Sequence, residues 1–406
     1  MRVQATRRVR IRADSEHATV NMLELFFDLV FVFALTQVTA FMAANLTWHG
    51  LLRGVLIVGL LWWAWTGYAW LANVASPDEP EIKLGLLLAM SAMFILALTI
   101  PEAFQDGPGG LDGPIVLAIC YLLVRVCHFG IFMVVAQEDD GLRAQLVRFA
   151  PSVVGSTIVL LIASQFSGWA QTALWALALV ADYVGTALGG AAGWRLPAPD
   201  HFSERHGLIV IVALGESIVA IGVGVAQLPI SWPIVIASGL GLVLVSAMWW
   251  AYFDVSALLG EHALATEPGS TRPRMGRNAF SFDHFPLVLG IVLVALGLKK
   301  VLEYVADTEH HTLLDPLKGV GLAALVGGVV LYLLAHVEFK WLTVHNVSTI
   351  RLGAAAVLLL AWPVLPLVPA MGQLAVVAAV LVITLVVESV LHAEDRRRIR
   401  AEMAHH

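Results

Sequence analysis

The chain has 406 residues, of which 59% are hydrophobic and only 13% charged, with a net charge of −6. Soluble domains carry about 25% charged residues, so a water-soluble globular protein is excluded. The small acidic balance also speaks against nucleic acid as a partner. The two cysteines, Cys120 and Cys127, would lie about 10.5 Å apart along one helix axis, too far for a disulfide. They read as small core residues.

Twelve apolar segments are long enough to cross a hydrocarbon core, for which about 20 residues suffice. They cover 20–43, 51–74, 82–100, 113–136, 146–166, 169–190, 205–227, 232–258, 281–303, 317–339, 346–368 and 372–391. The expected fold is all-α integral membrane, with about twelve transmembrane helices. Arg2, Arg7, Arg8, Arg10 and Arg12 precede the first apolar run, as in a signal peptide. Glu24 and Asp28 within that run argue instead for a retained helix. The expected layout is a basic cytosolic arm (1–19), a first six-helix half (20–195), a second (196–391) with a mobile cytosolic loop (259–280), and a basic cytosolic tail (392–406).

Orientation follows from lysine and arginine. The arm, the tail with Arg396, Arg397, Arg398 and Arg400, and the alternate loops with Arg143, Arg195, Arg272 and Lys340 hold most of the 24 basic residues. Both termini are therefore expected in the cytosol, with the chain multi-pass in the inner (plasma) membrane. An internal repeat is suggested by three ordered matches. Trp62-Trp63-Ala64-Trp65 matches Trp249-Trp250-Ala251-Tyr252, Tyr121-Leu122-Leu123 matches Tyr332-Leu333-Leu334, and Glu24 matches Glu204. Two six-helix halves related this way would lie parallel.

Charges inside a membrane are costly, at about 2.5–3.5 kcal/mol each on insertion scales. Glu24 and Asp28 are four residues apart and share a helix face. Glu216 and Arg125 fall at mid-helix, at similar depth, and are expected to pair. Asp28, His128 and Asp182 form a shallower tier, with Asp182 or Arg351 as partners for Asp28. His284, His336, Glu338, Arg351 and Glu388 lie nearer the cytosolic ends. This skew predicts a polar vestibule open to the cytosol. The candidate ion- or substrate-binding residues are Glu24, Asp28, Arg125, His128, Asp182, Glu216 and His284. Against these stand plainer readings. Glu24, Glu388, Lys299 and Lys300 suit snorkelling at helix ends, and Glu204-Arg205-His206 suits a helix start. No phosphate loop, His-Glu-x-x-His pair or nucleophile elbow is present, and neither metal nor other cofactor is expected.

Three stretches resemble the bacterial low-temperature-requirement A family of membrane proteins. They are the Glu24-to-Ala34 run, Glu204-Arg205-His206-Gly207 through Ala213-Leu214-Gly215-Glu216-Ser217, and His284-Phe285-Pro286-Leu287 through Gly297-Leu298-Lys299-Lys300. The resemblance implies a polytopic bacterial inner-membrane protein and supplies no reaction. A narrower similarity is to two-repeat potassium channels, with Phe26-Phe27-Asp28 where those carry Phe-Ser-Asp. Leu208 stands opposite Asp28 in the second half.

The first expectation for function is a secondary transporter or ion-coupled carrier, with membrane lipids and a proton, cation or small molecule as partners; an oligomer is compatible with the sequence. The alternatives are a membrane-embedded enzyme acting on lipid, using His128, His284 and His336 with Asp28 and Asp182, and a cation channel or membrane-state sensor.

Overall fold

The computed structural model describes residues 19–76, 78–225 and 229–391. The helices in order are α1 (Met22–Ala44), α2 (Trp48–Val74), α3 (Pro80–Leu98), α4 (Gly113–Val135), α5 (Asp140–Ala163), α6 (Gly168–Gly189), α7 (Pro199–Val225), α8 (Trp232–Ala251), α9 (Ala257–Thr266), α10 (Arg272–Met275), α11 (His284–Ala306), α12 (Gly319–Val344), α13 (Thr349–Ala361) and α14 (Ala370–Leu391). No strand occurs among the described residues. Among the described residues, eleven helical segments are long and apolar enough to cross a membrane. The expected basic arm, apart from Thr19, and the basic tail lie outside the described residues.

Local chemistry explains several boundaries. Pro80 opens α3, and Asp112 caps α4 by accepting the Ile115 amide at 2.9 Å. Asp139 caps α5 in the same way through Leu142, also at 2.9 Å. The tight α5–α6 joint turns at Gly168, whose φ of +62° favours glycine. Cys120 and Cys127 are both free.

Two expectations change. The segment 259–280 is not a loop. α9 continues an Ala- and Leu-rich helix until Pro268-Gly269 breaks it, and a π-helical stretch over Gly276–Phe282 leads into α11. The seventh helix begins at Pro199, so Glu204, Arg205 and His206 lie inside it rather than starting it.

The eleventh expected segment is a 13-residue helix, about 20 Å long and short of a hydrocarbon core. Pro363 and Pro366 lack the amide needed to extend it, and a 3-10 turn over Leu365–Leu367 follows. Even so, the segment runs the length of α14. At one end the Arg351 guanidinium binds the Glu388 carboxylate. At the other, the Gln373 side-chain amide donates to the carbonyls of Leu365 and Leu317 at 2.8 and 3.0 Å. The short helix and the 3-10 turn are thus each tied to α14.

The chain forms two compact units. The first takes in 19–38, Val55–Arg205 and Leu264–Arg277; the second takes in Thr39–Gly54, His206–Ala263 and 278–391. The first unit is held by an aromatic core in which Trp63 stacks on Tyr183 at 4.2 Å and Trp194 meets Trp70, Phe132 and Phe149. The second is centred on α11 and α12, which run antiparallel and nearly touch. A Cβ added at Gly290 would lie 2.8 Å from the Gly328 carbonyl oxygen. Only glycine allows that approach, the usual device for close helix pairs in membranes.

Candidate functional site

In the first unit, the starts of α1 and α7 lie side by side. Glu24 and Asp28 come one turn apart from α1, and His201 and Arg205 one turn apart from α7, so both pairs face each other. The Arg205 guanidinium forks between the carboxylates, with Nη2 donating to Asp28 Oδ1 at 2.9 Å and Nη1 to Glu24 Oε2 at 3.3 Å. The His201 ring reaches Glu24 Oε2 through Nε2 at 2.8 Å. Trp65 of α2 donates its indole N–H to Asp28 Oδ1 at 2.9 Å, and Arg205 lies over its ring. All four polar groups are at most 2% exposed. Glu24 Oε1, Asp28 Oδ2 and His201 Nδ1 have no hydrogen-bond partner among the described residues.

Counting charge defines what this cluster can do. With both carboxylates ionised and His201 neutral, Arg205 leaves one negative charge unbalanced. A buried uncompensated charge costs several kcal/mol. One added proton, on a carboxyl or on His201, or one monovalent cation, makes the site neutral.

Two other intramembrane arginines are each matched by one carboxylate. Arg125 of α4 binds Asp182 of α6 at 3.2 Å, with Tyr121 donating to Asp182 and the Tyr121 and Phe149 rings flanking the guanidinium. Arg125 therefore takes Asp182 as its carboxylate, rather than Glu216, and Asp28 takes Arg205, rather than Asp182 or Arg351. In the second unit, Arg351 clasps Glu388 and reaches Ser256 Oγ and the Ala251 carbonyl, each at 3.0 Å. A π-helical turn over Tyr252–Ser256 follows that carbonyl, which also accepts the Ser256 hydroxyl at 3.2 Å. Glu388 thus pairs with Arg351, and Glu24 is a buried ion-pair member; neither simply snorkels.

The remaining candidates are scattered. His128 rests against Gly67 between Tyr68 and Phe132. His284 belongs to the second unit and spends both ring nitrogens, with Nδ1 on the Ala279 carbonyl and Nε2 against the Tyr252 hydroxyl, both at 2.9 Å. Glu216 is 1% exposed, beside Ser217, whose hydroxyl donates to the Ile291 carbonyl. Lys300 pairs with Glu303 on its own helix at 2.7 Å. No group of three or more metal-binding side chains occurs among the described residues. The sequence reading passed over His201 and took Arg205 only as part of a helix start, not as a site residue. Their spacing of four, matching that of Glu24 and Asp28, is the signal that could have found them.

The family model described as bacterial low temperature requirement A protein (LtrA) matches residues 19–386. The chain belongs to the LtrA family. The match takes in α1 and α7, so the Glu24–Arg205 cluster falls inside the LtrA region. A relative, "Uncharacterized protein RA0937" of Rhizobium meliloti (strain 1021), is 27% identical over 301 residues, 70% of each chain. No solved structure matches the chain. Family membership and eleven apolar helices together make this LtrA protein a multi-pass membrane protein.

Proposed function

We propose that this LtrA protein is a secondary transporter, an ion-coupled carrier whose coupling proton or monovalent cation is held by Glu24, Asp28, His201 and Arg205. The observation that carries this reading is the charge count: two buried carboxylates face one arginine, and one further positive charge completes the site. Burial at 0–2% supports a carrier over an open channel, because a carrier encloses its ion between openings while a pore leaves it in contact with water. Arg125 with Asp182 already forms a neutral pair, and in this reading it locks α4 to α6. The reading keeps both termini in the cytosol of a bacterial inner membrane, two parallel six-helix halves, and a polar vestibule leading to the starts of α1 and α7. Lipid surrounds the chain, and a small molecule is the cargo. The enzyme alternative loses support because Asp28 and Asp182 are engaged by arginines and His284 has spent both nitrogens.

The test is flux. Protein is reconstituted in liposomes with an internal pH dye, under imposed proton, sodium or potassium gradients. The reading predicts a dye response in wild type that is lost in Glu24→Gln and Asp28→Asn and kept in Glu309→Gln, an exposed control. Equal flux in wild type and both cluster variants would remove the cluster from the ion path. Absence of flux in wild type under every gradient would remove coupling to these ions.

A further inference from the structure

A second site lies elsewhere in the first unit, where three connections meet. They are the α4–α5 joint at Asp139, the 190–198 segment leading into α7, and the 267–271 turn between α9 and α10. Between them is a cavity of about 420 Å³, lined by Asp139, Trp194, Arg195, Gly269, Ser270 and Arg272 among others. The two arginines differ in one respect. Arg195 is neutralised, its Nε and Nη2 gripping the two Asp139 carboxylate oxygens at 2.8 and 2.9 Å. Arg272 is anchored only by carbonyls: Nε donates to Glu267 and Nη2 to Ala265, both at 3.2 Å. These bonds cap the end of α9 and fix the guanidinium plane, but they bring no formal negative charge. The three charged side chains of the cavity therefore leave one positive charge unbalanced. It sits on a pre-oriented guanidinium, beside a serine hydroxyl and at the mouth of an open cavity.

We infer that this cavity binds a phosphate-bearing anion, with Arg272 as charge partner, the Ser270 hydroxyl as a further donor and Trp194 as an apolar wall. A guanidinium held in one plane presents its remaining N–H groups as a fork that matches phosphate oxygens. The cavity is built from helix ends and connections, the level at which lipid headgroups meet a membrane protein. An anionic lipid headgroup and a free phosphate monoester share the chemistry that the site recognises. The inference is independent of ion coupling at Glu24.

The experiment measures the melting temperature of the full-length protein in a neutral detergent. It is titrated with short-chain phosphatidic acid, glycerol phosphate or inorganic phosphate at constant ionic strength. Ser270 is exposed, so Ser270→Glu places a carboxylate at the mouth without disturbing the core. Arg272→Gln removes the charge, and Arg148→Gln, at an exposed arginine of α5, is the control. Wild type and the control should show saturable stabilisation. In Ser270→Glu and Arg272→Gln the apparent affinity should fall about tenfold or more, the worth of a lost charge-assisted bond. Stabilisation by phosphatidic acid and glycerol phosphate alike identifies a free phosphate group as sufficient; stabilisation by the lipid alone identifies a headgroup. An equal response in wild type and Ser270→Glu, or no response to any of the three probes, overturns the inference.

Discussion

At the scale of residues, buried charges in this chain come in two kinds, and they should respond differently to mutation. Arg125 and Asp182 form a closed one-to-one pair. Arg125→Met leaves a carboxylate stranded and should cost about 3–5 kcal/mol, while Arg125→Met with Asp182→Leu should recover most of that loss. Thermal melts of the single and double variants check this; equal losses would mean that the pair does not act as a unit. Asp139 gives a pH-dependent case outside the apolar spans. Partial burial works against its ionisation, but the Leu142 amide and the Arg195 guanidinium outweigh that and hold its carboxyl below the ordinary range. A lowered folded value means that its contribution is present above the ordinary carboxylate value of about 3.9 and is lost as pH falls through the lower one. Asp139→Asn should melt below wild type at neutral pH, by about 1 kcal/mol or less. The two curves should converge in acid, and a gap that persists there would contradict the assignment. Glu24 and Asp28 stood out in the sequence because carboxylates are rare among Phe, Val and Leu. Their partners did not, because His201 and Arg205 sit some 177 to 181 positions away, in a stretch that reads equally well as a polar helix start. Periodicity shows which residues share a face but not which other helix that face meets, and for the same reason Arg125 was matched to Glu216 by depth alone.

At the scale of elements, apolar length was readable and termination was only partly so. Asp112, Pro80 and Gly168 set helix boundaries, each through a local bond or dihedral that the residue type dictates. The 259–280 segment was misread because Pro268, Gly269 and its arginines suggested a loop. Arg272 in fact caps α9 from beyond the break. The matching tryptophan motifs also part company. Trp62, Trp63 and Trp65 are buried in the first unit, while Trp249 and Trp250 are each 49% exposed. Similar words in the sequence therefore face different surroundings. The α11–α12 contact predicts a steep cost for added bulk. Gly290→Val would force backbone apart from backbone and should destabilise by about 1–3 kcal/mol. Gly327→Val, where an added Cβ meets nothing, should cost only the lower helix propensity of valine. Melting temperatures of the two variants separate them, and equal effects would deny the close approach.

At the scale of the whole molecule, the account requires the starts of α1 and α7 to face the cytosol. In a background with Cys120 and Cys127 replaced by serine, Ser270→Cys should react with an impermeant thiol reagent only from the cytosolic side, and Gly110→Cys only from the opposite side. The reverse pattern would invert the orientation. The composition made the membrane class plain, and most helix positions followed from it, but α13 stops after 13 residues, just before Pro363 and Pro366. Hydrogen bonds at both ends of the 349–367 segment tie it to α14, a pairing that no hydropathy window could show. The central claim is that the Glu24, Asp28, His201 and Arg205 cluster holds one exchangeable positive charge. Infrared difference spectroscopy of the reconstituted protein tests it most directly, comparing wild type with Glu24→Gln/His201→Gln across pH and across added sodium or potassium. The account predicts a carboxyl or imidazolium band in wild type that responds to proton or cation and is absent from the variant. Identical difference spectra in the two proteins would contradict it.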